Sequence, residues 1–325
     1  MNNPLLKFGR VGVLMGGYSS EREISLKSGK AIYQALNEMG ACVAALDIVE
    51  REEDRILSFL EEAHLDTALI ALHGRLGEDG TIQTLLNKLD IPYPGSGPQA
   101  CHLAFNKALS QELFKKRGLK VPHTRVLTKN NHIDVDEIEE EFEGFPVIVK
   151  PACEGSSIGI TLVRNKNEIS PALRLAWEYG ESLLVQEFIS GRELTVGILE
   201  EKPLPVVEIR PQEAFFDFAS KYQQGRSQVL VPAPLNKTDS SLVSRVALDA
   251  HQLLGCRDLS RVDFILDSAG QYHILELNTI PGFTSMSLLP KAAELVHLPF
   301  PRLCVKLLEL AYVKKKENQR IACAY

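Results

Sequence analysis

Two polar segments near the carboxyl end of the chain contain residue types that can hold a metal ion. Arg261 and Asp263 alternate in the first segment, RVDFIL, and Glu276 alternates with Asn278 in the second, ILELN. Because side chains two apart on a β-strand share a face, each pair projects from one side of its strand. If an even number of residues forms the turn between the strands, position 263 lies opposite 274. Position 261 then lies opposite 276, and all four polar side chains share one face.

The polar face of this hairpin offers two carboxylates and an amide oxygen, which are the hard ligands that Mg²⁺ prefers. The companion face is apolar and is expected to pack into the core: Val262, Phe264, Leu275 and Leu277. The loop NTIPGFTSMS follows the second strand, at the kind of position where ligands bind. The alternative is that Arg261 and Glu276 form a cross-strand ion pair on a solvated sheet face.

A lysine and a glycine-serine loop form a second candidate site. Lys150 ends the apolar segment VIVK, and the loop EGSSIG at 154–159 follows it. Glycines let backbone N–H groups approach an anion, serine hydroxyls add donors, and the lysine supplies positive charge. The order GK[ST] of a Walker A motif is absent, and a turn of this composition can also be a simple hairpin.

The segment GGYSSERE at 16–23 is a third candidate. Ser20 and Glu23 have the spacing of a capping box, which would give both a structural role. Glu21 has no such role, although a carboxylate in a first helical turn is favoured by the helix dipole. The alternative is that Glu21 binds a substrate ammonium where a strand leads into the helix. Without the pattern GxGxxG, a dinucleotide site is a poor interpretation.

Other single residues are less informative by themselves. His73, in LHGRLGEDG, comes at the end of an apolar strand and either satisfies a buried hydrogen bond or belongs to a site. Lys107, Lys221 and Tyr222 could each be ordinary surface residues.

These candidates must be positioned by three groups of elements. From Arg10 to Tyr93, strand patterns (RVGVLM, ACVAALDI, DTALIALHG) alternate with helix patterns (20–39, 52–63, 80–88), which predicts a parallel α/β sheet. The Pro- and Gly-rich segment IPYPGSGPQA marks a boundary. A helix over 99–117 and a small antiparallel unit ending near Ser182 follow. Further strands, a loop at 212–234 and a helix over 239–254 predict an α+β third domain.

Composition excludes several classes of protein. The chain has 325 residues, of which 45% are hydrophobic and 24% charged, as in soluble proteins of two or three domains. The net charge of -6, without a long basic tract, argues against nucleic acid or a membrane as partner. No apolar run approaches the roughly 18 residues of a membrane span, and the first residues do not resemble a secretion signal. The 6 cysteines are widely spaced, so we expect reduced, buried thiols in the cytoplasm.

Taken together, the chain resembles the D-alanine–D-alanine ligases of the ATP-grasp superfamily, from Val11 to Tyr312. The resemblance rests on ordered blocks: GGYSSEREISLKSG, ALHGRLGEDGTIQ, YPGSG, FNK, VIVKPACEGSSIGI, EFISGRELTV, FDFASKY, RVDFIL and ELNTIPGFTSMSLLP. It implies a three-domain ATP-grasp architecture. Residues 1–98 would form the parallel α/β domain with the first D-alanine site, 99–183 the central subdomain with the phosphate loop, and 184–325 the subdomain with the metal site.

The resemblance also implies roles for individual residues. Lys107 and Lys150 would contact the phosphates of ATP, and the 154–159 loop, with Glu154, Ser156 and Ser157, would close over them. The adenine would be bordered by Gln186, Glu187, Phe188 and Ile189, and the ribose by Glu193. Lys221 would be a further ATP-binding residue. Two Mg²⁺ ions, replaceable by Mn²⁺, would be bound by Asp263, Glu276 and Asn278. The first D-alanine would be bound by Glu21, Ser156, Tyr222 and His73. Arg261 and the Gly282 N–H would stabilise negative charge, and Ser287 and Leu288 would contact the second D-alanine.

The implied reaction is an ATP-dependent peptide ligation through an acyl phosphate, which supplies a peptidoglycan precursor. The loops at 154–159 and 215–222 would close to exclude water. A cytoplasmic homodimer is the assembly that the resemblance implies.

Two positions differ from residues common in the family. Gln186 replaces an acidic residue beside adenine, which leaves nucleotide selectivity open, and Met286 replaces a histidine beside the second substrate. The rival functions are a D-alanine–D-lactate ligase, which Tyr222 disfavours, another ATP-dependent carboxylate–amine ligase, and a nucleotide-binding regulator without turnover. The last is disfavoured because a regulator needs neither two metals nor an anion-stabilising arginine.

Overall fold

The computed structural model describes residues 3–129, 133–211 and 227–322, and three sheets organise them. The first sheet is parallel and has the order β2-β1-β3, with strands β1 (Val11–Gly16), β2 (Val43–Ile48) and β3 (Thr67–Ile70). Its helices are α1 (Arg22–Glu38), α2 (Glu53–Glu62) and α3 (Thr81–Lys88), after a 3-10 helix at Pro4–Phe8. The central strand β1 is buried along its whole length, as expected of a parallel sheet covered on both faces.

Two helices replace the single helix that the sequence predicts over 99–117. They are α4 (Pro98–Phe105) and α5 (Lys107–Lys116). Asn106 separates them because its backbone is extended, and its side chain accepts hydrogen bonds from the N–H groups of Ala108 and Leu109. This N-cap begins a new helix directly at Lys107. The prediction of one continuous helix is therefore wrong at Asn106.

The second sheet is antiparallel and has the order β4-β7-β5-β6. Its strands are β4 (Thr124–Thr128), β5 (Val147–Pro151), β6 (Thr161–Val163) and β7 (Ser182–Glu187). The helices α6 (Val135–Glu141) and α7 (Lys166–Trp177) accompany it. The phosphate-loop candidate at 154–159 connects β5 to β6, as the sequence predicts for a turn between two strands.

The third sheet has the order β11-β10-β8-β12-β13, and a short strand β9 pairs with β8. Its strands are β8 (Gly191–Leu199), β9 (Lys202–Pro203), β10 (Val207–Pro211), β11 (Ser227–Leu230), β12 (Leu259–Asp267) and β13 (Tyr272–Asn278). The helices are α8 (Lys237–Leu253), α9 (Leu288–Leu295) and α10 (Phe300–Ala322). Strand β11 lies within the segment that the sequence predicts to be loop. The combination of one parallel sheet with antiparallel sheets confirms the predicted mixture of α/β and α+β structure.

The hairpin of β12 and β13 has a different register from the predicted one. Asp263 lies opposite Glu276 and Arg261 lies opposite Asn278, with a register shift between Asp263 and Phe264. The shift inserts an extra residue in β13, so Ile274 is fully buried and Leu275 is only half-buried. The four polar residues still share one face, because residues directly opposite on antiparallel strands point to the same side.

Two observations do not follow the predicted domain boundaries: helix α10 packs with the first sheet, and strand β7 crosses the predicted boundary at 183/184. Residues of α10, such as Leu303 and Leu308, belong to the same core as Val11 and Val13 of the first sheet. Strand β7 pairs with both β4 and β5, although a bound at 183/184 would cut through it. Within the described ranges, no helix is both long enough and apolar enough to span a membrane.

The cysteines of the described residues are free thiols. Cys101, Cys256 and Cys304 are buried, as predicted, whereas Cys42 is exposed and Cys153 is half-buried. The expectation of buried thiols is therefore wrong for Cys42, which precedes β2 at the surface.

Candidate active site

A buried carboxylate lies where β1 leads into α1. Glu21 is only 5% exposed, and Ser156 of the phosphate loop donates a hydrogen bond to its Oε1. The other oxygen, Oε2, is buried without a hydrogen-bond partner. A buried oxygen of this kind is costly to leave unsatisfied, and a ligand cation or N–H donor would relieve that cost.

The ionisation of Glu21 is strongly perturbed. Burial, followed by the nearby negative charge of Glu78, raises the pKa of Glu21 to about 7, although the hydrogen bond from Ser156 acts in the opposite direction. The carboxyl group therefore changes charge near neutral pH. A bound ammonium group would favour the ionised form and lower this pKa.

His73 is part of a buried chain of hydrogen bonds. Its Nδ1 lies 3.2 Å from Oε1 of Glu78, and its Nε2 lies 3.2 Å from Oγ of Ser28. Ser28 Oγ also accepts a hydrogen bond of 3.2 Å from the N–H of Phe283, in the loop after β13. The ring is thus fixed on both sides, and its carboxylate partner Glu78 was missed from the sequence. The signal was available, because Glu78 follows His73 by five residues in the same short turn.

The predicted capping box at the start of α1 does not form. Ser20 Oγ instead donates a hydrogen bond of 3.1 Å to Oε2 of Glu154, in the phosphate loop. Glu21 occupies the N-cap position without a side-chain cap, and Glu23 is exposed. The reason is tertiary, since a carboxylate from the second sheet competes successfully for the hydroxyl group.

A second charged cluster surrounds Lys107. Its Nζ donates to the backbone carbonyl of Glu154 and lies 3.2 Å from Oε2 of Glu276. Burial acts to lower the pKa of Lys107, but the charge of Glu276, its hydrogen bond to the lysine and the charge of Glu78 together outweigh burial, so the pKa is raised. The backbone N–H of Lys107 also donates to the carbonyl of Ala152, directly after β5. These contacts attach the start of α5 to the phosphate loop.

The polar face of the third sheet continues this cluster. Arg261 forms two hydrogen bonds to Asp263, of 2.8 and 2.7 Å, and Thr195 donates to Asp263 Oδ1 at 2.6 Å. Arg261 is therefore paired along its own strand, and the cross-strand pair with Glu276 considered from the sequence does not form. Glu276 is bound by Lys107 instead. Asn278 Oδ1 accepts a hydrogen bond of 2.8 Å from the N–H of Ile280, which fixes the start of the following loop.

One cleft joins the two clusters. Its lining includes residues from all three sheets and their loops: Glu78, Lys107, Glu154, Gly155, Glu276 and Asn278. A Cβ atom on Gly155 would lie 2.6 Å from Oε2 of Glu21, so Glu21 lies directly behind the wall of the cleft. This close approach explains why glycine is needed at position 155.

The oxygen donors of the hairpin fit a divalent cation. Asp263 and Glu276 lie directly opposite each other, an arrangement that is unfavourable for like charges unless cations compensate them. Arg261 and Lys107 provide that compensation here. Among the described residues, no three His, Cys, Asp or Glu side chains form a metal-binding group. The remaining oxygen donor on this face of the hairpin is the amide of Asn278.

The remaining nucleotide candidates lie along the second and third sheets. Lys150 is buried on β5, and Ser157 has a positive φ of 59° in the phosphate loop. Gln186 is 2% exposed on β7, and its Nε2 donates to Gln111 Oε1 at 3.1 Å and to Thr124 Oγ1 at 2.9 Å. Other candidates follow it in the chain: Glu187 at the end of β7, Phe188 and Ile189 after it, and Glu193 on β8.

The candidates for the second amino acid lie in the loop before α9. Ser287 is the N-cap of α9, which begins at Leu288, and its Oγ accepts a hydrogen bond of 3.0 Å from the N–H of Thr284. A Cβ atom on Gly282 would lie 3.4 Å from that oxygen, so the loop folds back on itself. Met286 is 69% exposed beside it. Lys221 and Tyr222 lie outside the described residues.

Comparisons with known proteins agree on one family. Family models described as "D-ala D-ala ligase N-terminus" and "D-ala D-ala ligase C-terminus" match residues 49–96 and 113–309. A D-alanine–D-alanine ligase of Geotalea uraniireducens is 43% identical over 309 residues, which cover 95% of this chain and 97% of that protein. Together these matches cover almost all of the described structure.

Solved structures give the same result. A D-alanine–D-alanine ligase from Bacillus anthracis superposes with a TM-score of 0.84 at 32% identity, over 95% of this chain and 99% of that one. A structure of the Bacillus anthracis ligase complexed with ATP superposes with a TM-score of 0.82 at 29% identity, over the same shares.

Proposed function

The chain belongs to the D-alanine–D-alanine ligase family, and from that premise we propose how its cleft joins two D-alanines with ATP. The products are D-alanyl-D-alanine, ADP and phosphate, and the dipeptide is a precursor of peptidoglycan. The observation that carries this function is the cleft lined by Lys107 and Glu276, with Glu21 directly behind its wall at Gly155. It combines a place for an ammonium group with charges suited to phosphate chemistry.

The first step that we propose is formation of an acyl phosphate. The carboxylate of the first D-alanine attacks the γ-phosphorus of ATP, and ADP leaves. Lys107 and Lys150 would neutralise charge on the transferring phosphoryl group, and the 154–159 loop would donate backbone N–H groups to it. Glu21, supported by Ser156 and with Tyr222 and His73 nearby, would hold the ammonium group of this D-alanine.

For the metal, we propose that Asp263, Glu276 and Asn278 hold two Mg²⁺ ions, with Mn²⁺ as a substitute. When bound, these ions supply charge neutralisation on the phosphates of ATP. Lys107 Nζ lies 3.2 Å from Oε2 of Glu276, so a cation at this carboxylate would share it with the lysine.

The second step is attack of the second amine on the acyl phosphate, which releases phosphate. We propose that Arg261 and the Gly282 N–H stabilise the negative charge that develops, and that Ser287 and Leu288 contact the second D-alanine. The adenine would lie beside the segment 186–189, with Glu193 at the ribose and Lys221 as a further ATP-binding residue.

Phosphate release from ATP tests this function. The purified protein is supplied with D-alanine, D-lactate or L-alanine, alone and in pairs, and dipeptide is measured in parallel. Release with D-alanine and formation of D-alanyl-D-alanine are expected. If D-alanine gave no phosphate, the proposal would fail, and faster release with D-alanine plus D-lactate at neutral pH would favour a depsipeptide ligase instead.

We further propose that the protein is a cytoplasmic homodimer. Each chain would have three domains, and the boundary between the second and the third would lie after β7. The free thiols of the described cysteines and the use of ATP support this location. The pairing of β7 with β4 and β5 supports the shifted bound.

A further inference from the structure

Arg75, although it belongs to the first domain, contacts one end of the phosphate loop directly and the other end through Tyr179. It follows β3 in the turn that also contains His73. Its Nε lies 3.9 Å from Oε1 of Glu154, the first residue of the loop. Its Nη2 donates a hydrogen bond of 3.4 Å to the carbonyl of Tyr179.

Tyr179 lies against the far end of the same loop. A Cβ atom on Gly159 would approach Cδ2 of Tyr179 to 2.9 Å, so the ring packs directly on the last residue of the loop. Arg75 therefore connects Glu154, at the start of the loop, to Tyr179, which packs on Gly159 at its end. An arginine suits this position because its planar group presents several donors in a fixed arrangement.

Glu154 in turn connects the two halves of the cleft. Its carboxylate accepts a hydrogen bond of 3.1 Å from Ser20, next to Glu21, and its side chain is only 10% exposed. Its backbone carbonyl accepts a hydrogen bond from Lys107, which also contacts Glu276. The carboxylate thus faces the first domain, while the carbonyl orients a lysine of the nucleotide site.

We infer that Arg75 and Glu154 are positioning residues that couple occupation of the first D-alanine site to closure of the phosphate loop over ATP. This inference rests on the proposed function. In this arrangement Glu154 acts on the nucleotide through its carbonyl and Lys107, and its carboxylate fastens the loop to Ser20 and Arg75. A loop released from the first domain would admit water, which attacks the acyl carbon and returns D-alanine and phosphate without dipeptide.

The test uses Arg75→Met and Glu154→Gln in the full chain, with Arg55→Met as a matched control. Arg55 is also an exposed arginine of the first domain, 72% against 52%, and its ion pair with Glu50 does not involve the loop. Thermal unfolding of each variant shows whether it is folded. The near-isosteric Glu154→Gln retains the hydrogen bond from Ser20, so it tests the charge of the carboxylate without a cavity.

Two measurements distinguish positioning from simple structural support. The first is the ratio of phosphate released to dipeptide formed, which is expected to be one in the parent protein and to rise in Arg75→Met and Glu154→Gln. The second is the Kd of a non-hydrolysable ATP analogue with and without D-alanine. D-alanine is expected to tighten this binding in the parent protein, and the factor should fall about 3- to 10-fold in Arg75→Met, as for the loss of a partly exposed ion pair with a hydrogen bond.

The outcomes separate the inference from the function. If the parent protein makes no dipeptide, the proposed function fails. If it makes dipeptide while Arg75→Met and Glu154→Gln keep its stoichiometry and coupling factor, the inference alone is overturned. An equal change in Arg55→Met would also overturn it, because that variant leaves the loop contacts intact.

Discussion

Glu21 acquires its chemical character from its surroundings rather than from its residue type. An exposed glutamate in a first helical turn would simply be ionised and favoured by the helix dipole. Here burial and the neighbouring Glu78 raise its pKa to about 7, and one of its oxygens has no hydrogen-bond partner. The site therefore stores an unfavourable interaction that a substrate ammonium would relieve.

This cost predicts that Glu21→Gln stabilises the protein at alkaline pH. The folded-state pKa of about 7 exceeds the ordinary value of 4.5 that the unfolded chain has, so the parent protein loses stability as pH rises from 4.5 through 7. Glutamine has no such titration. We expect Glu21→Gln to exceed the parent by on the order of 2 kcal/mol at pH 8, and by little at pH 4.

Urea unfolding at several pH values measures this difference. Glu23→Gln is the matched control, because Glu23 lies two residues along the chain and is exposed. A pH-independent difference for Glu21→Gln, or the same difference for Glu23→Gln, would contradict the burial argument.

Substitution of Glu276 tests the role of charge in the cleft most directly. This residue is held by Lys107 and faces Asp263 across the hairpin. Glu276→Gln should lower kcat by at least about 100-fold, because it removes a charge proposed to bind the metal and leaves the buried Lys107 without its counter-ion. Steady-state phosphate release measures the effect, with circular dichroism to show that the fold is retained. Parent-like turnover in this variant would mean that the metal proposal is incorrect.

At the scale of elements, the break between α4 and α5 connects local sequence to the site. Asn106 begins α5 by accepting hydrogen bonds from the N–H groups of Ala108 and Leu109, at 3.1 and 3.2 Å. Lys107 follows directly and contacts both Glu154 and Glu276. The cap therefore fixes the backbone position from which the side chain of Lys107 extends into the cleft.

Removing this cap should affect both stability and function. Asn106→Ala is expected to lower the free energy of unfolding by about 1 kcal/mol. It should also raise KM for ATP several-fold, because the backbone of Lys107 is no longer held in place by the cap. Asn165→Ala is the control, since Asn165 caps α7 in the same way, through the N–H of Asn167 at 3.1 Å. It should cost similar stability without changing KM. Equal changes of KM in both variants would show that the effect is not specific to the start of α5.

At the scale of the whole molecule, the chain closes on itself through its last helix. Helix α10 packs against α1 and β3, although it follows the third sheet in the sequence. Its buried residues join the core of the first domain: Leu303, Cys304, Leu307 and Leu308. The first and last parts of the chain thus share one core.

This closure predicts that Leu308 contributes strongly to the stability of the first sheet. Leu308 is fully buried, and Leu308→Ala should lower the free energy of unfolding by about 2 to 5 kcal/mol. Val313→Ala, five residues further along and 52% exposed, should change it by less than about 0.5 kcal/mol. Denaturant unfolding compares the two variants. A small effect of Leu308→Ala would show that α10 does not cover the first sheet.

Much of this organisation could be predicted from the sequence because it depends on local patterns. Short apolar segments interleaved with helix patterns predicted the strands of the first sheet. The period of a strand predicted that Arg261, Asp263, Glu276 and Asn278 share one face, although their predicted pairing was wrong. The family was also determined by the sequence, since its motifs are short blocks in a fixed order. The helix break at Asn106 had a local signal as well, but a helical pattern on both sides obscured it.

Only the tertiary structure decided which polar and charged side chains contact each other. Ser20 binds Glu154 instead of capping its own helix, Glu276 binds Lys107, and the bulge in β13 changes the hairpin register. Each depends on groups that lie far apart in the sequence or on a single inserted residue. Their energies arise from burial and charge at short range, which exist only after the chain has folded.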